Sequence, residues 1–467
     1  MLNILSPIGS SVKVSLLAIL LAAPAHATLF PHAIARRTLD NGLDVLVVET
    51  PAFPQVLSVN TLVLAGSRNE VEAGKTGLAH LFEHILFRHR FEGKAGGYGT
   101  AIDAIGAHNN AWTWFDVTYY HPLSFSSNLE RLIELEADRF MNLDFTKKTF
   151  ENESGAVLGE YRNGASFPTL RLSEKMLGLL FKDHPYGHTT IGTREDVVDM
   201  PNEFLPAKAF YRDYYRPNNT VLIVTGDVRA EDVFAAAERR FKDWKRGKIP
   251  VLAPASGVWK AGRRECIVWD SDVAPYVWVG INMPAFRPGS RDGAVMEILG
   301  ELLVTPAAPM YKTLRYDKKS VSELKFAEGS GGFKSLDPRS MTLSAKLYKD
   351  RYKTDGGEYL SEVEADLVSG LNALKKFSST EKAAQRLERL KSRFRYDFLG
   401  GLSSSAAIAS TVSQYYRFGR DLKVFEHVEE SLQALRPEDI DAFASRWFTE
   451  AGRVVVTLVP PSGEKKK

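Results

Sequence analysis

The chain has 467 residues, 44% hydrophobic, 25% charged and 11% aromatic, a globular mixture that excludes disorder, collagen and coiled coil as whole-chain descriptions. With 60 Lys and Arg against 57 Asp and Glu, the formal net charge is +3, which leaves no electrostatic footprint for nucleic acid. At roughly 100–200 residues per domain, the length allows about two to four domains whose cores need no covalent staples.

Residues 1–27 read as an export signal. Lys13 is their only charge, Val14–Ala25 is largely apolar, and Ala25-His26-Ala27 has the small-x-small form of a cleavage site. The stretch falls short of the roughly 20 apolar residues that span a bilayer. Cys266 is the only cysteine, so an exported chain closes no internal disulfide. No cysteine adjoins the cleavage point to carry a lipid anchor. A soluble protein, periplasmic or otherwise exported and without a membrane anchor after signal cleavage, is expected.

The rest reads as two tandem α+β domains of similar plan, 28–245 and 263–460, with a linker at 246–262 inside the Pro- and Gly-containing segment Asp243–Gly262 and a basic tail at 461–467. The first half opens with extended segments Leu43–Val48 and Val56–Leu64. A helix-like stretch Gly77–His89, strands within Ala111–Tyr120, and helices Asn128–Met141 and Phe150–Asn163 follow. It closes with a helix started at Pro201 and the strand Val221–Thr225. The second half repeats the order: Ile267–Trp269, Tyr276–Met283, the helix Arg291–Leu303, strands Ser322–Ala327 and Met341–Leu347, helices Gly356–Phe377 and Glu381–Leu399, then a helix from Pro437 and the strand Val454–Leu458. Proline in a first helical turn loses no hydrogen bond, and acidic residues behind it suit the helix dipole.

Gly77-Leu-Ala-His-Leu-Phe-Glu-His-Ile-Leu-Phe87 carries the chemistry. Positions three and four apart share a helix face, so His80, Glu83 and His84 form one polar stripe on an otherwise apolar helix. The bland reading is a wet face that happens to hold two histidines. The sharp one is a zinc site: histidines one turn apart bind one Zn²⁺ with the neighbouring carboxylate as general base, in the HxxEH order of inverzincins. A catalytic zinc takes three protein ligands and leaves one position for water, so a third ligand must come from another element. Glu153 and Glu160 share one side of their helix, a pair that suits either a ligand or a solvated face.

These residues resemble the pitrilysin/insulysin (inverzincin) family of zinc peptidases, which includes the mitochondrial processing peptidases. Glu160 follows His84 by 76 residues, with Glu153 seven earlier, the places where the family carries its third ligand and a companion carboxylate. Gly106-Ala-His-Asn-Asn-Ala-Trp-Thr-Trp-Phe-Asp-Val-Thr-Tyr-Tyr120, His184-Pro-Tyr-Gly187 with Ile191-Gly192, and Tyr215-Arg-Pro-Asn-Asn219 with Gly226-Asp227 are similar to further family landmarks, in family order. The resemblance implies the metalloenzyme clamshell half of the LuxS/processing-peptidase type. It implies one Zn²⁺ per chain on His80, His84 and Glu160, with Glu83 as general base and Glu153 orienting a ligand histidine. Asn110 and Ala111 match the edge that pairs with a peptide substrate, and two clamshell halves enclose a chamber.

One position departs. The family's Arg and Tyr opposite the zinc stand seven apart; Leu314-Arg315 fits, but position 322 is Ser. A heterodimer is therefore expected, its second subunit homologous, lacking HxxEH and carrying the Arg/Tyr pair; a homodimer is the alternative. A zinc-dependent endopeptidase acting on short or unfolded peptides is the function implied. The competing readings are a non-catalytic scaffold or peptide-binding subunit of the same fold, and a closed structural zinc site. His89, His108, His121, His184 and His188 are read as structural or surface groups, Trp112 and Trp114 as core or chamber wall, and Gly329–Gly332 as a turn.

Overall fold

The computed structural model describes residues 28–94, 97–181, 184–252, 263–328, 332 and 334–461. The signal segment 1–27, residues 253–262 of the linker, residues 329–331 and the tail beyond 461 lie outside the described residues. The first sheet comprises β1 (Ala35–Thr38), β2 (Asp44–Glu49), β3 (Val56–Val63), β4 (Ala111–Thr113), β5 (Thr118–Tyr120), β6 (Leu123–Phe125) and β7 (Thr220–Gly226). Its order is β1-β2-β7-β3-β5-β4, with β6 pairing with β3. The second comprises β8 (Arg263–Val268), β9 (Tyr276–Met283), β10 (Glu323–Phe326), β11 (Arg339–Lys346) and β12 (Arg453–Val459), in the order β10-β11-β9-β12-β8.

The two sheets repeat one topology. In each, the last strand inserts between earlier ones: β7 runs parallel to β2 and antiparallel to β3, and β12 runs parallel to β8 and antiparallel to β9. The mixed α+β fold is thus two tandem homologous units.

The first unit carries α1 (Leu78–Phe87), α2 (Gly97–Ala104), α3 (Leu129–Met141), α4 (Lys147–Ala165), α5 (Pro168–Leu180), α6 (Arg194–Asp199), α7 (Phe204–Tyr214) and α8 (Ala230–Phe241). The second carries α9 (Arg291–Leu303), α10 (Pro309–Lys312), α11 (Lys349–Ala373), α12 (Ala383–Gly401), α13 (Ser405–Tyr416), α14 (Val424–Ala434) and α15 (Pro437–Trp447). Pro201 does not start α7. It sits in a separate 3-10 turn, Met200–Asn202, after which Glu203 (φ −94°, ψ 27°) leaves helical geometry. Pro206 takes the first-turn position of α7 instead, where a missing N–H costs nothing.

The near-continuous apolar runs of β2 and β7 follow from coverage on both faces. Alternate residues Val45, Val47, Leu222 and Val224 join a core with α1, α3 and α8, while Leu46, Val48, Val221 and Ile223 join the core of the second unit around Ile408 and Val412 of α13. The exchange is reciprocal: Leu172, Met176 and Leu180 of α5 cover Val454, Val456 and Leu458 of β12. Ahead of β1, Leu29 and Phe30 are buried, and Phe30 stacks on Phe425 of α14 with ring centroids 4.3 Å apart. Among the described residues no helix is long and apolar enough to cross a membrane.

Candidate metal centre

α1 buries Leu78, Ala79, Leu81, Phe82, Ile85 and Leu86, leaving one half-buried polar stripe of His80, Glu83 and His84. Its start is unusual. The N-cap is Gly77 at φ +89°, and a Cβ there would lie 2.6 Å from the Ile191 carbonyl oxygen, so only glycine fits. Glycine offers no capping side chain; Glu70 supplies one from outside the helix. Its Oε2 accepts from the Gly77 N–H at 2.8 Å and its Oε1 from the Ala79 N–H at 2.7 Å. This satisfies orphan backbone donors in the first turn of the helix.

α4 runs alongside α1, capped by the Thr146 hydroxyl, which accepts from the Thr149 N–H at 3.0 Å. Glu153 is buried on its inner side and Glu160 projects one face-repeat later, its side chain about half exposed. The Nε2 atoms of His80 and His84 lie 3.5 Å and 3.4 Å from the two oxygens of Glu160. One ligand atom from each residue falls within 4.8 Å of the others. A tetrahedral zinc with bonds near 2.0–2.1 Å separates its ligand atoms by about 3.3 Å; both imidazoles stand near that distance from a Glu160 oxygen, and the cluster has the N/N/O chemistry of a three-ligand zinc site.

The surrounding groups suit the same purpose. Glu153 Oε2 lies 3.6 Å from His84 Nδ1, on the ring edge away from Glu160, and Glu153 Oε1 accepts from Arg88 Nε at 2.8 Å. Burial pushes His80 down to about 4, helped by the neighbouring His84, so its imidazole is neutral and free to ligate. For His84 burial pulls down, but Glu153, Glu160 and Glu83 prevail and hold it above the usual histidine value; a cation there displaces a proton. Glu83 Oε2 accepts from Thr113 Oγ1 at 2.7 Å. Burial raises the Glu83 carboxyl against the pull of Thr113 and His84, and Oε1 has no partner among the described residues.

The segment Ala111–Tyr120 is a hairpin, β4 and β5, closed by a turn at 114–117. Trp114 N donates to Val117 O and His121 N to Asn110 O, so by antiparallel alternation Ala111 and Thr113 turn their backbone groups to the open edge. β4 ends its sheet. The side chain of Asn110 accepts from the Ala111 N–H at 2.8 Å, so it shapes the start of the edge. Thr113 points to Glu83, whereas Trp112 and Trp114 pack toward the second unit.

Arg315 lies far along the chain from this cluster, and Ser322 donates to the Lys346 carbonyl. A phenol does reach Arg315: its Nη1 donates to Tyr348 Oη at 3.1 Å and to the Val321 carbonyl at 2.7 Å. His89 pairs with Asp138 at 2.8 Å, and His188 is buried. Sequence reasoning missed Glu70, Arg88 and Thr113. Arg88 stands four residues after His84 and Thr113 two after Ala111, so helix and strand periodicity carry a signal for both; Glu70 has none.

Comparison with known proteins agrees with the geometry. Residues 45–194 match the family model described as Insulinase (Peptidase family M16), and residues 207–353 match Peptidase M16 inactive domain. The chain is 26% identical over 450 residues to a protein named zinc protease PqqE from Helicobacter pylori, covering 96% of this chain and 97% of that one. The crystal structure of a protease from Helicobacter pylori superposes with a TM-score of 0.79 at 26% identity, covering 92% of this chain and all of that chain. The periplasmic protease PqqL from Escherichia coli shares the fold at a TM-score of 0.69 and 15% identity; 91% of this chain covers 47% of PqqL.

Proposed function

Since this chain belongs to peptidase family M16, the insulinase/pitrilysin zinc peptidases, and carries an M16 inactive domain behind its metal-binding one, we propose that it is a zinc-dependent endopeptidase of short or unfolded peptides. The observation that carries the reading is the cluster in which His80 Nε2 and His84 Nε2 each lie 3.4–3.5 Å from one oxygen of Glu160, with Glu83 on the same face of the helix as the two histidines.

His80, His84 and Glu160 would hold the zinc, and Glu153, with Oε2 3.6 Å from His84 Nδ1, would orient that ring, as such partners do. When bound, the metal supplies Lewis-acid polarisation of the scissile carbonyl and a lowered pKa for water. Glu83 accepts the proton of the attacking water at Oε1 while Thr113 holds Oε2. It then delivers that proton to the leaving amine, so that one C–N bond is exchanged for one C–O bond. A carboxyl raised by burial suits both directions of that transfer. The open edge of β4 receives the peptide as an added strand, which gives affinity with little sequence demand.

The chamber and its second subunit belong to the same proposal. That this chain spans about half of PqqL supports a partner of similar size, and position 322 being Ser supports one that carries the Arg/Tyr pair. Export to the periplasm rests on the leader and on the likeness to a protease described as periplasmic. The test is cleavage of a mixed peptide library by protein co-purified from its host. Activity is expected to vanish with a zinc chelator, return with Zn²⁺, and fall about 10²–10⁴-fold in Glu83→Gln. Chelator-resistant cleavage, or a Glu83→Gln complex as fast as wild type, refutes it. A zinc-loaded complex that binds peptides without cutting them establishes the scaffold reading.

A further inference from the structure

The metal helix and the peptide-binding edge are joined by five residues, Gly66-Ser-Arg-Asn-Glu70. At one end Gly66 lies flush on the turn that closes β4 and β5. A Cβ on it would sit 2.1 Å from the Trp114 carbonyl oxygen and 2.7 Å from that of Phe115. Ser67 N donates to Trp114 O and Arg68 N to Phe115 O at 2.8 Å. At the other end Glu70 caps α1 through Gly77 and Ala79. The segment is therefore a bracket of fixed length between edge and metal.

The middle of the bracket reaches into the second unit. Arg68 Nε donates to Asp337 Oδ2 at 2.6 Å, and its side chain is 14% exposed against 9% for Asp337. The same second-unit loop grips the turn directly. Asp116 Oδ2 accepts from the Leu336 N–H at 3.0 Å, and its Oδ1 accepts from Tyr186 Oη at 2.5 Å. The Arg339 guanidinium lies over the Phe115 ring, 3.7 Å from its centroid. The end of the edge strand is thus clamped between Gly66–Glu70 of its own unit and Leu336–Arg339 of the other.

We infer that Arg68 and Asp337 are positioning residues for substrate: the unit without metal ligands sets, through Asp337, where the β4 edge sits relative to His80, Glu83 and His84, and hence which peptide bond is presented for cleavage. This rests on the peptidase reading above and adds a task for the second unit within a single chain. Neither residue touches the reacting atoms. Removing the Asp337 charge leaves Arg68 only the more distant Asp116, at 4.0 Å within its own unit, so the tie from Arg68 to the second-unit loop is lost and the loop and the turn loosen. A loosened edge lets the peptide pair at more than one position, while the zinc ligands and Glu83 keep their places.

The test compares Asp337→Asn, Asp337→Glu and wild type as zinc-loaded full chains in their native complex. Three quantities are read: zinc per chain, kinetics with mass-spectrometric mapping of cut positions, and amide hydrogen exchange. Asp337→Asn is expected to keep its zinc, raise KM roughly tenfold with kcat within about threefold, and scatter the cut positions. Exchange is expected to speed up in 65–70 and 111–121 while α1 keeps its protection, and Asp337→Glu is expected to restore much of each effect. Wild-type KM, cut positions and exchange in Asp337→Asn overturn the inference, as does zinc loss in step with activity. If wild type cuts no peptide, the peptidase reading fails by itself, and exchange at 111–121 still decides whether Asp337 holds the edge.

Discussion

Glu70 offers a sharp test of how the metal helix is anchored. Its carboxyl is fully buried and accepts the backbone N–H groups of Gly77 and Ala79 at the start of α1. Burial pushes it up to about 8 from an ordinary value of 4.5, against the pull of those donors. A raised folded-state value means the native protein holds this proton more tightly than the unfolded chain. The resulting stability is present in full below pH 4.5 and is lost as pH rises through about 8. At about 1.4 kcal/mol per pH unit, the loss across that window reaches about 5 kcal/mol. Glu70→Gln does not titrate there. It keeps one acceptor and turns an amide N–H toward a backbone N–H, a fixed cost of about 1–3 kcal/mol. Urea unfolding of metal-free wild type and Glu70→Gln at half-unit steps from pH 5 to pH 8.5 isolates the difference, since every other group titrates in both. Wild type is expected to lead at pH 5 and to lose that lead steadily toward pH 8. A lead that is flat, or that grows with pH, refutes the reasoning: the two N–H donors and the helix dipole would then outweigh burial, and Glu70 would be a carboxylate throughout.

Three further outcomes follow from the geometry. Glu153→Gln is expected to weaken zinc about 10–100-fold by competition with a chromophoric chelator, with the fold intact; unchanged affinity removes its role behind His84, and complete loss makes it a ligand. Ala111→Pro removes an N–H that bonds to Asn110 rather than to β5, so folding is expected to survive while KM rises about fivefold or more; an unchanged KM in steady-state assays means the peptide does not pair there. Phe30→Ala removes the ring stacked on Phe425 and is expected to lower stability by about 3 kcal/mol in urea titration; a change under about 0.5 kcal/mol shows that residues 28–34 do not hold the second unit.

Much of the centre was legible because it obeys short-range rules. A period of 3.6 residues puts His80, Glu83 and His84 on one stripe, and the same period puts Glu153 and Glu160 on one side of α4. The repeat of strands and helices gave away the two units. What escaped depends on contacts that no local pattern encodes. Arg68 meets Asp337 across 269 positions, and Asp116 looks like a turn residue until Leu336 and Tyr186 are brought to it. Pro201 obeys the helix-start rule in the wrong helix, because a 3-10 turn accepts proline as readily as an α-helix. Position 322 carries no phenol, and the phenol that does meet Arg315, that of Tyr348, stands 33 positions along the chain, a contact that no local spacing encodes.

The inserted strands also dictate an order of events during synthesis. β8 and β9 do not bond to each other; β12 lies between them, with Val454 opposite Arg263 on one side and Gly280 on the other. A nascent chain that has not yet reached Arg453 therefore has a second sheet split down its middle, and closing it must bridge a loop of nearly two hundred residues. The first unit meets the same delay at β7. A chain cut within α15 leaves β8 and β9 each with an unsatisfied edge facing the slot that β12 fills.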